Sequence, residues 1–169
     1  MKYLPTAFGQ LSFAWKLYNY GLEGKIDPEE LDADVTWQDK HMVFVVPKAL
    51  ENPSDLLIAL ENNLTIAFGA AAITLNRVRE EVGIRLPDPI NTEEEQCVAL
   101  IYQIRNAFAH DIAEPRWAIN GRYRRSYQFG GMKFDLTTKD GEGFKYEHLG
   151  GPDAFYAIKD YFSKTFGAI

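Results

Sequence analysis

Apolar residues recur every three or four positions in four stretches of the chain, a spacing typical of helices that bury one face. The stretches cover about residues 6–21, 54–82, 92–112 and 152–166. An acidic segment that begins with Asp27 and Pro28 favours one more helical turn, because proline suits a first helical position. The pattern therefore predicts a mainly α chain that folds as a helical bundle.

Two of these helices carry recognisable start signals. Ser54 stands as an N-cap before the longest stretch, which contains no proline and stops at Gly83. Thr92 and Glu95 have the spacing of a capping box, in which each side chain satisfies a free amide of the first turn. These signals predict where the two helices begin.

The centre of the longest helix, Ile66–Ile73, is apolar on every side. It contains a glycine and three alanines at positions 69–72, small residues that let another backbone approach closely. A helix that is apolar all round belongs in the middle of a bundle or in a dimer interface. We expect a two-fold homodimer, because one small bundle offers little surface to cover this helix and the apolar face of the third helix together.

Strand-like segments lie mainly between the third and the last helix. Apolar and polar residues alternate in Tyr123–Phe129 and Lys133–Thr137, and a glycine-containing turn then leads to Phe144–His148. These segments predict a small antiparallel hairpin region. His41–Val46 is rich in β-branched and aromatic residues and favours one further short strand.

The length of 169 residues suits one globular domain. We expect a bundle over about residues 5–112 and 152–166, with the hairpin region inserted at about residues 116–150. The single cysteine, Cys97, excludes an internal disulfide and a zinc site made of thiolates. The longest apolar stretch, Leu64–Leu75, is short of the about 20 residues that a transmembrane helix needs. We therefore predict a cytoplasmic protein without membrane contact.

The candidate chemistry lies near the end of the third helix, where Arg105 and Asn106 are followed by His110. Asn106 and His110 are four residues apart and share a helix face, and the long Arg105 side chain reaches round to them. An imidazole moves protons near neutral pH, and a guanidinium binds phosphate and stabilises charge that develops on it. The pair needs neither metal nor cofactor. The alternative is that Arg105 is a solvated surface residue and that His110 caps the last carbonyls of its helix.

The segment Arg105–His110 resembles the Arg-x4-6-His signature of the HEPN superfamily (higher eukaryotes and prokaryotes nucleotide-binding), with Asn106 as its commonest accessory residue. The resemblance implies a small helical bundle and a metal-independent endoribonuclease of a toxin–antitoxin or other defence system. It implies that Arg105 and His110 are the catalytic pair, that two motifs face each other in a dimer, and that an antitoxin protein is a partner. Other members of the superfamily are inactive and serve as binding modules. The hairpin region after Pro115 departs from the minimal bundle.

A basic segment with interleaved aromatic residues follows the motif. Cations and stacking rings are what single-stranded nucleic acid needs, so we predict RNA contacts here. The candidate RNA-binding residues are Arg116, Trp117, Arg122, Tyr123, Arg124 and Arg125, with Tyr127 as a further ring. On a strand, Arg122 and Arg124 share one face, so we expect these two to dominate. The alternative is an edge strand whose outward charges discourage aggregation.

Two functions therefore stay open for the chain. The first is a HEPN-like endoribonuclease that cleaves RNA through attack of the 2′-hydroxyl. The second is a catalytically silent helical module that binds a protein or a nucleic acid.

Overall fold

The computed structural model describes residues 3–167 and is mainly α, with 56% of the chain in helices. The helices are α1 (Tyr3–Leu22), α2 (Pro28–Leu31), α3 (Leu56–Glu81), α4 (Glu93–Ala109) and α5 (Pro152–Phe166). The strands form two antiparallel hairpins, β1 (Val35–Asp39) with β2 (Met42–Val46) and β3 (Ser126–Phe129) with β4 (Met132–Asp135). The predicted helical pattern and the C-terminal hairpin are thus confirmed.

Helices α1 and α3 pack antiparallel and form one side of the bundle. Gly21 at the end of α1 lies against Leu60 near the start of α3, whereas Tyr3 lies beneath the guanidinium of Arg77 near the end of α3. The interior behind them is aromatic. The ring of Phe68 in α3 stacks on that of Phe155 in α5, with 4.4 Å between their centroids. This contact joins α5 to the bundle.

Helix α4 packs on another side of α3 and supports the second hairpin. The alternating burial along β3 puts Tyr127 and Phe129 in the core, as the two-residue pattern predicts. At its turn, the amide of Gly130 donates to the carboxylate of Glu93 at 2.9 Å, which anchors the hairpin to the first turn of α4. The C-terminal hairpin therefore belongs to the same core as the helices.

The structure corrects several local predictions. Ser54 does not cap α3, because Pro53–Asp55 form a 3-10 turn in which the Asp55 carboxylate accepts from the amide of Asn52 at 3.0 Å. The predicted strand Phe144–His148 is instead largely a 3-10 turn at Tyr146–Leu149. Residues 121–123 form a 3-10 turn as well, so the third strand starts at residue 126.

The long helix α3 bears on the predicted location of the protein. Together with the turn before it, residues 53–81 are apolar and long enough to cross a membrane by composition and length alone. The core helix of a soluble protein passes the same test. The absence of membrane contact and the cytoplasmic location therefore stay predictions.

Candidate functional site

The last turn of α4 positions the three residues of the motif. The Nη1 atom of Arg105 donates to the side-chain oxygen of Asn106 at 3.1 Å, and both residues are half-buried. His110 is the C-cap residue of α4, and its side chain is exposed. Asn106 thus holds the guanidinium at the end of the helix that also carries the imidazole.

The positive charge of Arg105 is not cancelled by an acidic side chain among residues 3–167. A second guanidinium, that of Arg79 in α3, lies close by and is buried. Arg79 donates to the side-chain oxygen of Asn76 at 3.0 Å and to a carboxylate oxygen of Glu80 at 2.8 Å. Burial lowers the pKa of Arg79, and the charge of Arg105 acts in the same direction. Glu80 offsets the charge of Arg79, so the cation of this region without an acidic partner in the described residues is Arg105.

Arg116 is the predicted RNA-binding residue that the fold joins to the motif. Its backbone amide donates to the carbonyl of Ala107 at 3.0 Å, between Arg105 and His110 in sequence. Its side chain is exposed and has no acidic partner in the described part of the chain. The end of α4 therefore carries two unpaired cations, Arg105 and Arg116.

The other three arginines of the basic segment are tied to partners elsewhere in the fold. Arg122 contacts the carboxylate of Asp88 at 2.5 Å, and Arg124 contacts that of Asp140 at 2.6 Å. Arg125 donates to the carbonyl of Ile90 at 2.7 Å. The two aspartates offset much of the positive charge that the local sequence shows. Arg122 lies in a 3-10 turn, so the argument that it shares a strand face with Arg124 is wrong.

The aromatic residues of the basic segment are not available for stacking on bases. Trp117 is 1% exposed, and its indole N–H donates to Nδ1 of His148 at 2.9 Å. Tyr123 is 8% exposed, because its ring packs against Tyr102 and lies beneath the guanidinium of Arg122. Tyr127 is fully buried. The prediction of a stacking platform made of these rings is therefore wrong, since each ring has its face in the protein interior.

A cavity of about 480 Å³ lies beside the end of α4. Phe108 and Arg116 line one part of it, and Lys145 and Tyr146 line another. Arg105, Asn106 and His110 do not contribute to its lining. The cavity thus adjoins the motif through Arg116, and its lining holds a second cation, Lys145, together with three glutamates, Glu61, Glu114 and Glu147.

Two residues of this region were not singled out from the sequence. Arg79 is a charged residue on the buried face of α3, between the buried residues Leu75 and Val78 and the half-buried Val82. A charge at helical spacing among core residues is the signal that marks it. Lys145 lies in a segment that looks like a strand, and its sequence context carries no comparable signal.

Metal chemistry finds no support within residues 3–167, where His, Cys, Asp and Glu do not form a group of three that could hold an ion. Burial raises the pKa of the Cys97 thiol, so this residue is a poor nucleophile.

Comparison with protein families, with curated proteins and with solved structures finds no match for this chain. The relation to the HEPN superfamily therefore stays a resemblance, carried by Arg105–His110. What the site does has to be argued from its geometry and charge.

Proposed function

We propose that this protein is a HEPN-like, metal-independent endoribonuclease in which Arg105 and His110 act on one RNA phosphate. The observation that carries the proposal is the guanidinium of Arg105, which Asn106 holds in place and which no acidic side chain of the described residues neutralises. A phosphodiester supplies the missing negative charge. His110 is exposed at the same helix end.

The chemistry follows from these two side chains. His110 accepts the proton of the ribose 2′-hydroxyl, and the 2′-oxygen attacks the phosphorus. The bond from phosphorus to the 5′-oxygen breaks, and that oxygen takes up a proton, which leaves a 2′,3′-cyclic phosphate and a 5′-hydroxyl. Arg105 stabilises the charge on the phosphoryl oxygens throughout. A setting in a toxin or defence system, with an antitoxin as partner, belongs to the same proposal and is supported by the resemblance alone.

The test is cleavage of a labelled single-stranded RNA by the purified protein in the presence of EDTA. We expect products that end in a cyclic phosphate. His110→Ala should lower the cleavage rate by about 10² to 10⁴, the usual contribution of general acid–base catalysis, and should leave RNA affinity unchanged. His41→Ala is the matched control, because His41 is also an exposed histidine but lies in the β1–β2 turn.

Two results would contradict the proposal. One is undiminished cleavage by His110→Ala, which would remove this residue from the mechanism. The other is cleavage that EDTA abolishes.

A second function, the catalytically silent interaction module, is supported by a different observation. All residues of the β1–β2 hairpin are exposed, although most of them are apolar. Such a surface suits contact with another macromolecule. Wild-type protein that binds RNA or a protein partner but cleaves no RNA would favour this function over the enzyme.

A further inference from the structure

The β1–β2 hairpin is the largest exposed apolar feature of the described chain. All ten of its strand residues are exposed. Seven of them are large apolar residues with 43–63% of their surface accessible: Val35, Trp37, Met42, Val43, Phe44, Val45 and Val46. A two-stranded hairpin without a packing surface is at best marginally stable in water. We therefore expect another protein surface to pack against this hairpin.

The register of the hairpin gives it one apolar face. Trp37 pairs with Phe44, and Val35 pairs with Val46, so these four side chains lie on the same side of the sheet. We call this side the arm face. The opposite side carries Thr36 and Gln38 beside two valines, Val43 and Val45, and is more polar.

Hydrogen bonds fix the base of the hairpin, so we describe the hairpin as an arm that projects from the helices. The carboxylate of Asp32 accepts from the amides of Ala49 and Leu50 at 2.7 and 2.9 Å. The carboxylate of Asp34 accepts from the amide of Lys48 at 3.1 Å. These bonds close the segment that connects α1 to α3.

A second exposed apolar surface lies on the α1–α3 pair. Phe13 and Tyr20 are exposed on α1, and Ile66 and Ile73 are exposed on α3. In each helix the two residues are seven apart and share a face. Because Gly21 of α1 lies against Leu60 of α3 and Tyr3 against Arg77, the antiparallel packing puts Phe13 level with Ile66. We call these four residues the helix face.

We propose that the arm face of one copy of this chain docks on the helix face of a second copy, and that the second arm does the same in return. Two equal contacts related by a two-fold axis form a closed dimer. None of the docking residues belongs to the arginine–histidine motif, so variants of the two faces test the dimer and the His110 variant tests the ribonuclease activity.

The size of the two surfaces supports a second copy as the occupant. If each large side chain contributes about half of the area it can bury, the eight residues of the arm face and the helix face amount to about 800 Å² per copy, similar to the share of one partner in a standard interface. The charges also match. Asp39 lies on the arm face, two residues from Trp37. Lys16 lies between Phe13 and Tyr20 on the helix face. Neither residue has an ionic partner among residues 3–167.

Sedimentation velocity on the wild-type chain is the first test, and we expect a dimer at tens of micromolar. The arm variant Trp37→Ser/Phe44→Ser should be a monomer. The matched control Val43→Ser/Val45→Ser changes two apolar residues on the opposite side of the same hairpin and should stay a dimer. The helix-face variant Phe13→Asp/Ile66→Asp should be a monomer, and circular dichroism should show that its helices are intact.

Mixing the two monomeric variants tests whether the dimer forms by contact of an arm face with a helix face. The helix-face variant has an intact arm, and the arm variant has an intact helix face, so an equimolar mixture should form a dimer with one of the two contacts. In a dimer built from two arms the helix-face variant would stay a dimer by itself, and in a dimer built from two helix faces the arm variant would. A wild-type chain that is monomeric at 100 micromolar, or that binds vesicles of neutral phospholipid through Trp37 instead, would overturn the proposal.

Discussion

Gly69 of α3 lies against side chains at the end of α4 and just after it. A Cβ atom at this position would stand 2.6 Å from Cγ1 of Ile112 and 2.7 Å from Cδ1 of Phe108. Because both side chains belong to the packed interior, we expect Gly69→Ala to lower the free energy of unfolding by about 1–3 kcal/mol, as overpacking usually does. Urea denaturation would measure the loss.

The control for this prediction is another helical glycine. Gly9 in α1 is exposed, and a Cβ atom there would meet nothing within 4 Å. Gly9→Ala should therefore raise the free energy of unfolding by about 0.5–1 kcal/mol through helix propensity. Equal effects of the two substitutions would show that the contact at Gly69 is not tight.

We expect His148 to make the stability of the protein depend on pH. Burial is the main cause that lowers the pKa of His148 below its usual value, and Lys139 adds to it. Nδ1 of His148 accepts the indole N–H of Trp117, which requires a neutral ring. Since the unfolded chain binds this proton more readily, stability should be full above about pH 6.5 and should fall as the pH drops below that value.

Urea denaturation at several pH values between 5 and 8 would test the role of His148. In His148→Gln, the decline between pH 7 and pH 5 should be smaller than in the wild type, because the titrating group is gone. A decline of the same size in both proteins would assign the pH dependence to other groups.

At the scale of elements, the starts of α3 and α4 differ although both carry a cap signal in the sequence. The Thr92 hydroxyl accepts from the amide of Glu95 at 3.2 Å, and the Glu95 carboxylate accepts from the amide of Thr92 at 2.9 Å. The amides of Thr92 and Asn91 both donate to the Glu95 carboxylate, and these two bonds hold the pKa of Glu95 below its usual value. Thr92→Ala should cost about 0.5–2 kcal/mol of stability by denaturant unfolding.

Ser54→Ala is the matched comparison. Ser54 is exposed, lies in the 3-10 turn before α3 and is not its N-cap residue. We expect its replacement to change the free energy of unfolding by less than about 0.5 kcal/mol, as is usual for surface positions. A loss as large as that of Thr92→Ala would mean that Ser54 caps the helix in solution.

At the scale of the whole molecule, the fold divides the arginines into paired and unpaired ones. If RNA binds at the end of α4, Arg105→Ala/Arg116→Ala should weaken binding and make the salt dependence shallower by about 1–2 units, up to one for each lost phosphate contact. Arg122→Ala/Arg124→Ala should change the slope less, because Asp88 and Asp140 already compensate these charges.

Filter binding of one RNA at several salt concentrations would compare the two double variants. A larger effect of Arg122→Ala/Arg124→Ala would restore these residues as the main RNA contacts. No effect of either double variant would exclude the basic segment and the end of α4 as an RNA-binding surface.

Most of the helices and strands could be predicted from the sequence, because the apolar residues of a helix or of a half-buried strand recur at a characteristic spacing. The capping box at Thr92 and the apolar stripe of α4 involve residues within a few turns of each other, so local spacing contains the information. The same holds for the placement of Arg105, Asn106 and His110 near one helix end. The strand Val35–Asp39 escaped prediction because its acidic neighbours obscure its pattern.

The tertiary structure decided which of these side chains remain available. Arg122 meets Asp88 across 34 residues, and Trp117 meets His148 across 31 residues. Periodicity tells which face of an element is apolar, but it does not tell which distant residue covers that face or neutralises a charge. Therefore only the fold shows that Trp117 is buried and that, within residues 3–167, Arg105 has no acidic partner and the β1–β2 hairpin is exposed.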